Sequence, residues 1–337
     1  MTEWNEWLRV QNGENLRDNA VLFNGAPRRF ITFPRDLATY VHDDALYEAY
    51  LNACLILLSM RTPFDQGFAN LSGQGNFFLN SLDIQGNFFA GLESHPRQAG
   101  GFALYGGPHI LTLVTEVATR ALKAVRYQKF NNHIRLRPEA LAGRLEKATA
   151  IETAYPQIGA VFSALVAGIS PTINAIRAVN SSGTALLPMA FQEGSPMHPS
   201  YGAGHATVAG ACVTILKAFF DTDAVFVRRN GNDVFDLYQT GDVAVQYTPD
   251  ATGANLVPST GGDFLTLEGE LNKLAANISI GRNMAGVHYY SDYYDSLRMG
   301  EQIAIGILEE QALCYPTDPF VLSLPTFDGD VVRIGAR

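Results

Sequence analysis

Three apolar helical stripes in this chain each run on into a residue that carries, or can carry, positive charge. Leu111, Val114, Ala118, Ala121, Leu122 and Val125 recur at three- and four-residue steps, and Lys129 continues the row four positions later. That period marks one buried face of a helix. Val208, Ala209, Cys212, Ile215, Leu216 and Phe219 form a second stripe, headed by His205. Phe264, Leu267, Leu271, Leu274 and Ile278 form a third, which Arg282 extends by four positions. A cation on a core face is costly without a counter-charge, so each demands an anionic partner. Singly, each reads as half of a structural ion pair. Together they can converge on one bound anion.

Residues suited to an oxyanion surround them. Arg137 follows Lys129 by eight positions and precedes Pro138. Eight residues of continuous helix would separate the two by roughly 12 Å, so the helix is expected to break between them, at Asn131-Asn132 or at Pro138. Gly202-Ala203-Gly204 leads directly into the His205 helix, where backbone N–H groups and the positive helix end would face an anion. The alternative for these glycines is an ordinary tight turn. His288 follows Arg282 by six, and Asp292 stands four after it, placed to accept from one imidazole nitrogen and leave the other as a better ligand. His198 lies seven before His205. His42, His95, His109 and His133 are read as structural, His133 least securely because it lies between Lys129 and Arg137.

A chain of 337 residues suits one large domain or two closely packed ones, and the dominant pattern is all-α. Residues 1–40 read as an irregular N-terminal arm with Asn-Gly and Gly-Ala-Pro turn signals. Residues 41–315 read as a helical bundle, with helices over Asp44–Met60, the three stripes and about Asp292–Gln311. Within it, 61–108 is a Gly/Phe-rich insertion containing the near-repeat Gln74-Gly75-Asn76-Phe77-Phe78 and Gln85-Gly86-Asn87-Phe88-Phe89. Residues 221–262 read as a loop with short extended pieces, and the 316–337 tail as a small hairpin around Asp328-Gly329. The net charge of −9 argues against nucleic acid. The longest apolar stretches, Leu51–Met60 and Ala206–Ile215, are too short to cross a bilayer, and no secretory signal is visible, so a cytoplasmic location is the default expectation. Cys54, Cys212 and Cys314 have no metal-type spacing and read as free thiols.

Lys129 with Arg137-Pro138, His198-Pro199-Ser200-Tyr201-Gly202-Ala203-Gly204-His205, and Arg282 with His288 and Asp292 together resemble the three-part signature of the vanadium haloperoxidases. That signature is shared with the type 2 phosphatidic acid phosphatases, and the nearer match is the algal and cyanobacterial bromoperoxidase branch. The resemblance covers about residues 30 to 315 and implies a helical bundle around a vanadate cofactor. It implies that His288 bonds the metal and that Lys129, Arg137, Arg282 and the Gly204 amide hold the vanadate oxygens. His205 would serve as acid–base at the opposite position, and Lys129 would polarise an oxygen of bound peroxide. His198 matches a histidine of bromide-selective members, which favours bromide or iodide. The metal serves as a Lewis acid, so neither haem nor flavin is implied. Hydrogen peroxide, halide and small organic acceptors follow as partners, and no membrane.

Two departures from the family pattern stand out. Ala203 replaces the usual serine, at an expected cost of about 0.5–1.5 kcal/mol for one neutral hydrogen bond. Relatives are also longer, with helices ahead of this region, so a homo-oligomer, or a second subunit supplying that cover, is expected. Two other functions fit the same residues: a soluble acid phosphatase with His288 as nucleophile and His205 as acid, and a structural shell subunit built on the fold.

Overall fold

The computed structural model describes residues 2–14, 16, 28–67, 102–259, 262–317 and 320–335. The phenylalanine near-repeat, His95 and most of the 61–108 insertion lie outside these residues.

The architecture is a helical bundle built around one helix. Helices α3 (Glu48–Ser59) and α4 (Gly107–Tyr127) precede a wider π-type turn, Gln128–His133. Helices α5 (Pro138–Glu146), α6 (Ala148–Ala154), α7 (Pro156–Gly168) and α8 (Ser170–Val179) follow. The central helix α9 spans Gly204–Phe219, and every residue from Ala206 to Phe219 is buried. It is surrounded by α3, α4, α10 (Leu267–Met284) and α11 (Tyr290–Leu313). Its sequence permits this enclosure because its side chains are small or apolar. Thr207 and Thr214 spend their hydroxyls on the carbonyls of Ala203 and Gly210, at 2.9 and 2.7 Å. Lys217, also fully buried, reaches Asn272 Oδ1 at 3.4 Å and Glu301 Oε1 at 3.9 Å, with its ammonium over the Phe327 ring.

The stripes read from the sequence are the buried faces. Ile110, Leu113, Val114, Val117, Ala118, Ala121 and Val125 of α4 are buried, and Leu271, Ala275, Ile278 and Arg282 of α10 likewise. Thr266 caps α10 by accepting from the Gly269 N–H at 3.1 Å, and Glu268 and Glu270 complement the positive end of the helix.

The extended pieces after α9 are two antiparallel pairs. Strands β1 (Val225–Arg229) and β2 (Asn232–Asp236) are joined by Asn230-Gly231, both with positive φ, the signature of a two-residue type I′ turn. Strands β3 (Tyr247–Pro249) and β4 (Leu256–Pro258) form the second pair. In the tail, β5 (Val321–Pro325) and β6 (Val331–Gly335) pair antiparallel around Asp328-Gly329.

The N-terminal arm differs from its irregular reading. It carries helix α1 (Trp4–Gln11) and helix α2 (Pro34–Tyr40). In α1, Trp7 and Val10 are buried three apart, and Asn12-Gly13 is the stop after the helix rather than a turn in an irregular arm. In α2, Pro34 sits in the first turn, and Asp36 accepts from the backbone N–H groups of Thr32 and Phe33. Of the four helices between 138 and 179, α5 buries Ala142 and Leu145, but α7 and α8 have one buried residue each, Gly159 and Ile173. Tyr155, Ile158, Val161, Leu165 and Val179 are all exposed. No single described helix is long and apolar enough to cross a membrane, although α7 and α8, bent by 79°, pass that length and composition test together.

The contact between α9 and α11 is close because glycine faces backbone on both sides. A Cβ on Gly210 would lie 2.0 Å from the Leu297 carbonyl oxygen, and one on Gly300 would lie 2.0 Å from that of Thr207. Gly300→Ala is therefore expected to destabilise the fold by about 1–3 kcal/mol, an overpacking cost. Gly306→Ala, whose Cβ meets nothing within 4 Å, should be neutral or add about 0.4–1 kcal/mol. Urea unfolding of the two variants beside the parent checks both signs.

Candidate anion-binding site

The segment from Lys129 to Arg137 folds so that both side chains meet the 198–200 segment. α4 loosens into the π-type turn, Ile134 adopts a left-handed conformation at φ 38°, and Arg137 becomes the N-cap of α5 with Pro138 starting that helix. The break falls at Ile134, with Pro138 opening the next helix.

Lys129, 2% exposed, donates from Nζ to the carbonyl oxygens of Pro199 and Ser200 at 2.7 and 3.2 Å. Buried Arg137 donates from Nη1 to the Val287 carbonyl at 2.7 Å and to His288 Nε2 at 3.0 Å. Its Nε donates to the His198 carbonyl and its Nη2 to His198 Nδ1, each at 3.0 Å. Arg282, 6% exposed, donates from Nη1 to the Val41 carbonyl at 2.8 Å, and its Nε has no partner among the described residues. Among those residues, no carboxylate oxygen lies within the 4.0 Å of an ion pair from any of these three cations.

Their charges push against one another. Burial, the neighbouring Arg137 and Arg282 lower the Lys129 pKa to about 7. Burial and Arg282 bring Arg137 down to about 10, and burial lowers that of Arg282. His198 is depressed to about 4 by partial burial and by Lys129 and Arg137.

His288 stands beside them, buried, on the turn between α10 and α11. Its Nδ1 lies 3.0 Å from Asp292 Oδ2, and the carboxylate also accepts from the Tyr289 N–H at 3.1 Å and from Arg135 Nη1 at 2.7 Å. Burial alone would raise the Asp292 pKa, but these donors outweigh it and hold the group below its ordinary value. Burial brings His288 down to about 3 even against the Asp292 bond. The neutral ring therefore carries its proton on Nδ1 and presents the Nε2 lone pair to the cations.

The 198–205 loop closes the pocket from the other side. Ala203 is the N-cap of α9 without a side-chain cap, and its N–H donates to Ser296 Oγ at 2.8 Å. A Cβ on Gly204 would meet only Leu46 and Leu122, at 3.7 and 3.8 Å. His205 Nε2 lies 2.7 Å from Asp44 Oδ1, and Asp44 is also the leading negative influence on Arg282.

Lys129, Arg137, His198, His288 and Asp292 are thus joined by direct bonds or a shared loop, and Arg282 joins them through its field. Ala203, Gly204 and His205 lie at the head of α9, tied in through Ser296 and Asp44. Asp44, Arg135 and Ser296 carry no sequence signal of their own, because their partners are 161, 157 and 93 positions away. His109 holds a structural place between the Tyr105 N–H and Gln311. His133 packs against Tyr201 at 4.4 Å.

A sequence profile of the VCPO second helical-bundle domain matches residues 178–313. The chain is 46% identical to the vanadium-dependent bromoperoxidase of Corallina officinalis, over 99% of this chain and 51% of that protein. It is 33% identical to the vanadium-dependent bromoperoxidase of Ascophyllum nodosum, over 99% of this chain and 53% of that protein. The fold superposes with a TM-score of 0.72 on the homohexameric second vanadate-dependent bromoperoxidase of Ascophyllum nodosum. That match has 25% identity and covers 99% of this chain and 53% of the other. Over nearly its whole length the chain is thus similar in sequence and fold to vanadium-dependent haloperoxidases. It spans about half the length of the curated relatives it matches.

The depressed Lys129 pKa, about 7 against an ordinary 10.5, has a signed consequence for stability. Between these values the unfolded chain binds the proton and the anion-free fold does not, so this group's contribution to stability falls as pH drops from about 10.5 to 7. Lys129→Met should therefore show a shallower rise of unfolding free energy between pH 7 and 10 than the parent. Urea titrations in phosphate-free buffer at three pH values measure the slope, and equal slopes would contradict it.

Proposed function

We propose that this chain provides the vanadate site of a haloperoxidase that oxidises bromide or iodide with hydrogen peroxide, giving hypohalous acid for the halogenation of small organic acceptors. The observation that carries this reading is three buried cations that meet no carboxylate among the described residues, one of them donating to the unprotonated Nε2 of a buried imidazole. The donor set fits a tetrahedral metal oxyanion: the cations answer oxygen charge, and the Nε of Arg282, buried without an acceptor among the described residues, is a donor such an oxygen would satisfy. His288 Nε2 would take the metal, Arg137 Nη1 yielding the bond it now makes there. Lys129, Arg137, Arg282 and the Gly204 N–H would hold the oxygens. When bound, vanadate supplies a Lewis-acid centre that activates peroxide without changing oxidation state.

The remaining work falls to protein groups. Asp292 keeps the His288 proton on Nδ1 and so keeps Nε2 unprotonated. Asp44 fixes one nitrogen of His205, leaving the other to take or give the proton that the reaction consumes. The balance is hydrogen peroxide, bromide and one proton to hypobromous acid and water. His198, held by Arg137 at the pocket edge, is the group assigned to halide preference.

The enzyme is proposed to act as an oligomer. The homohexameric Ascophyllum nodosum relative supports this. So do the exposed Ile158, Val161 and Leu165 on α7, an apolar surface that assembly would cover.

Purified protein should brominate a diketone reporter in the presence of peroxide and bromide only after orthovanadate is added, and excess phosphate should suppress the reaction. Sedimentation of the same sample reads its assembly state. Hydrolysis of a phosphate ester without vanadate, and no bromination at any vanadate level, would instead indicate a phosphatase.

A further inference from the structure

Arg135 is the side chain at which the segments of the pocket meet. Its Nη1 donates to Asp292 Oδ1 at 2.7 Å and to Ser291 Oγ at 3.0 Å. Its guanidinium lies over two rings, 4.7 Å from the centroid of Tyr201 and 5.8 Å from that of Tyr289. Its own carbonyl accepts the Ser200 N–H at 2.9 Å. One residue thus touches the 198–205 loop twice and the head of α11 three times, while its chain neighbours carry Lys129 and Arg137.

The division of the Asp292 carboxylate shows what this contact does. Oδ2 serves His288 Nδ1 and the Tyr289 N–H, and Oδ1 serves Arg135. Asp292 is fully buried, so both of its oxygens rely on protein donors. With Oδ1 gripped by a charge-assisted bond, the carboxylate plane is set, and Oδ2 faces the imidazole. The Tyr201 contact draws the loop that carries Gly202 to His205 against the same carboxylate. Tyr201 is held further by its hydroxyl, which donates to Asp295 Oδ2 at 3.1 Å.

We propose that Arg135 is the positioning residue of the anion site, orienting Asp292, and through it His288, while pinning the 198–205 loop to α11. This rests on the reading that His288 and that loop hold an oxyanion. Arg135 does not itself touch the reacting atoms. Its side chain is 40% exposed and reaches the pocket from outside the core, so its replacement leaves the apolar packing intact. Lysine reproduces only part of the role: both bonds leave from the single nitrogen Nη1, which an ammonium can imitate, but an ammonium cannot lie flat over the Tyr201 ring as the planar guanidinium does.

The test uses the full chain with Arg135→Gln and Arg135→Lys, reading orthovanadate affinity by calorimetry and the His288 ring by 15N NMR. The parent should show one His288 tautomer, with the proton on Nδ1. Arg135→Gln should weaken orthovanadate binding by about tenfold or more and shift the His288 ring signals toward a mixture of tautomers. Arg135→Lys should fall between the two, and it decides the matter if the glutamine variant does not fold. Affinity within twofold of the parent and an unchanged His288 signal in both variants would overturn the proposal. The ring measurement needs no turnover. An inactive parent would therefore sink the haloperoxidase reading while the His288 signal still decides the role of Arg135.

Discussion

Three neighbouring buried cations, none of them in contact with a carboxylate among the described residues, are the constraint on which the rest of this structure depends. Placing Lys129, Arg137 and Arg282 together is costly for folding: burial lowers all three pKa values, and repulsion from neighbouring cations adds to it at Lys129 and Arg137. The surrounding groups soften the cost without cancelling it. Carbonyl oxygens of Pro199, Ser200, Val287, His198 and Val41 accept from them, and the dipoles of these peptides lie along otherwise ordinary turns. On the proposed function an anion completes this site, and most of the bundle then serves as a scaffold that holds it ready.

The scaffold works by rigidity near the site and close packing behind it. Helix α9 is enclosed on all sides, and its contact with α11 is set by glycines facing backbone carbonyls. The two helix heads that carry Gly204–His205 and His288–Asp292 are therefore fixed relative to each other by packing that contains no polar choice. Ser296 adds one directional bond between them, to the Ala203 N–H. This bond occupies the backbone donor at the N-cap, where Ala203 has no hydroxyl of its own to offer.

Much of this was legible in the sequence, for definite reasons. Lys129 and Arg282 were visible because they sit in phase with apolar rows, and Asp292 because it stands one helical turn after His288. The Asn230-Gly231 and Asp328-Gly329 hairpins follow from turn chemistry within the expected extended segments. What escaped lacks a local signal. Asp44 and Arg135 act on partners more than 150 positions away. Helix α7 places much of its apolar surface outward, with Ile158, Val161 and Leu165 exposed, so no core-facing stripe marks it. Helix α1 was hidden by the Asn12-Gly13 signal, which ends a helix as readily as it makes a turn.

The most direct test of the account is a calorimetric titration of the purified chain with orthovanadate, beside Lys129→Met. The account predicts one equivalent bound by the parent, a melting temperature that keeps rising with the logarithm of free orthovanadate above its dissociation constant, and clearly weaker binding by the variant. No stoichiometric binding to the parent, or binding undiminished by loss of the Lys129 charge, would contradict it.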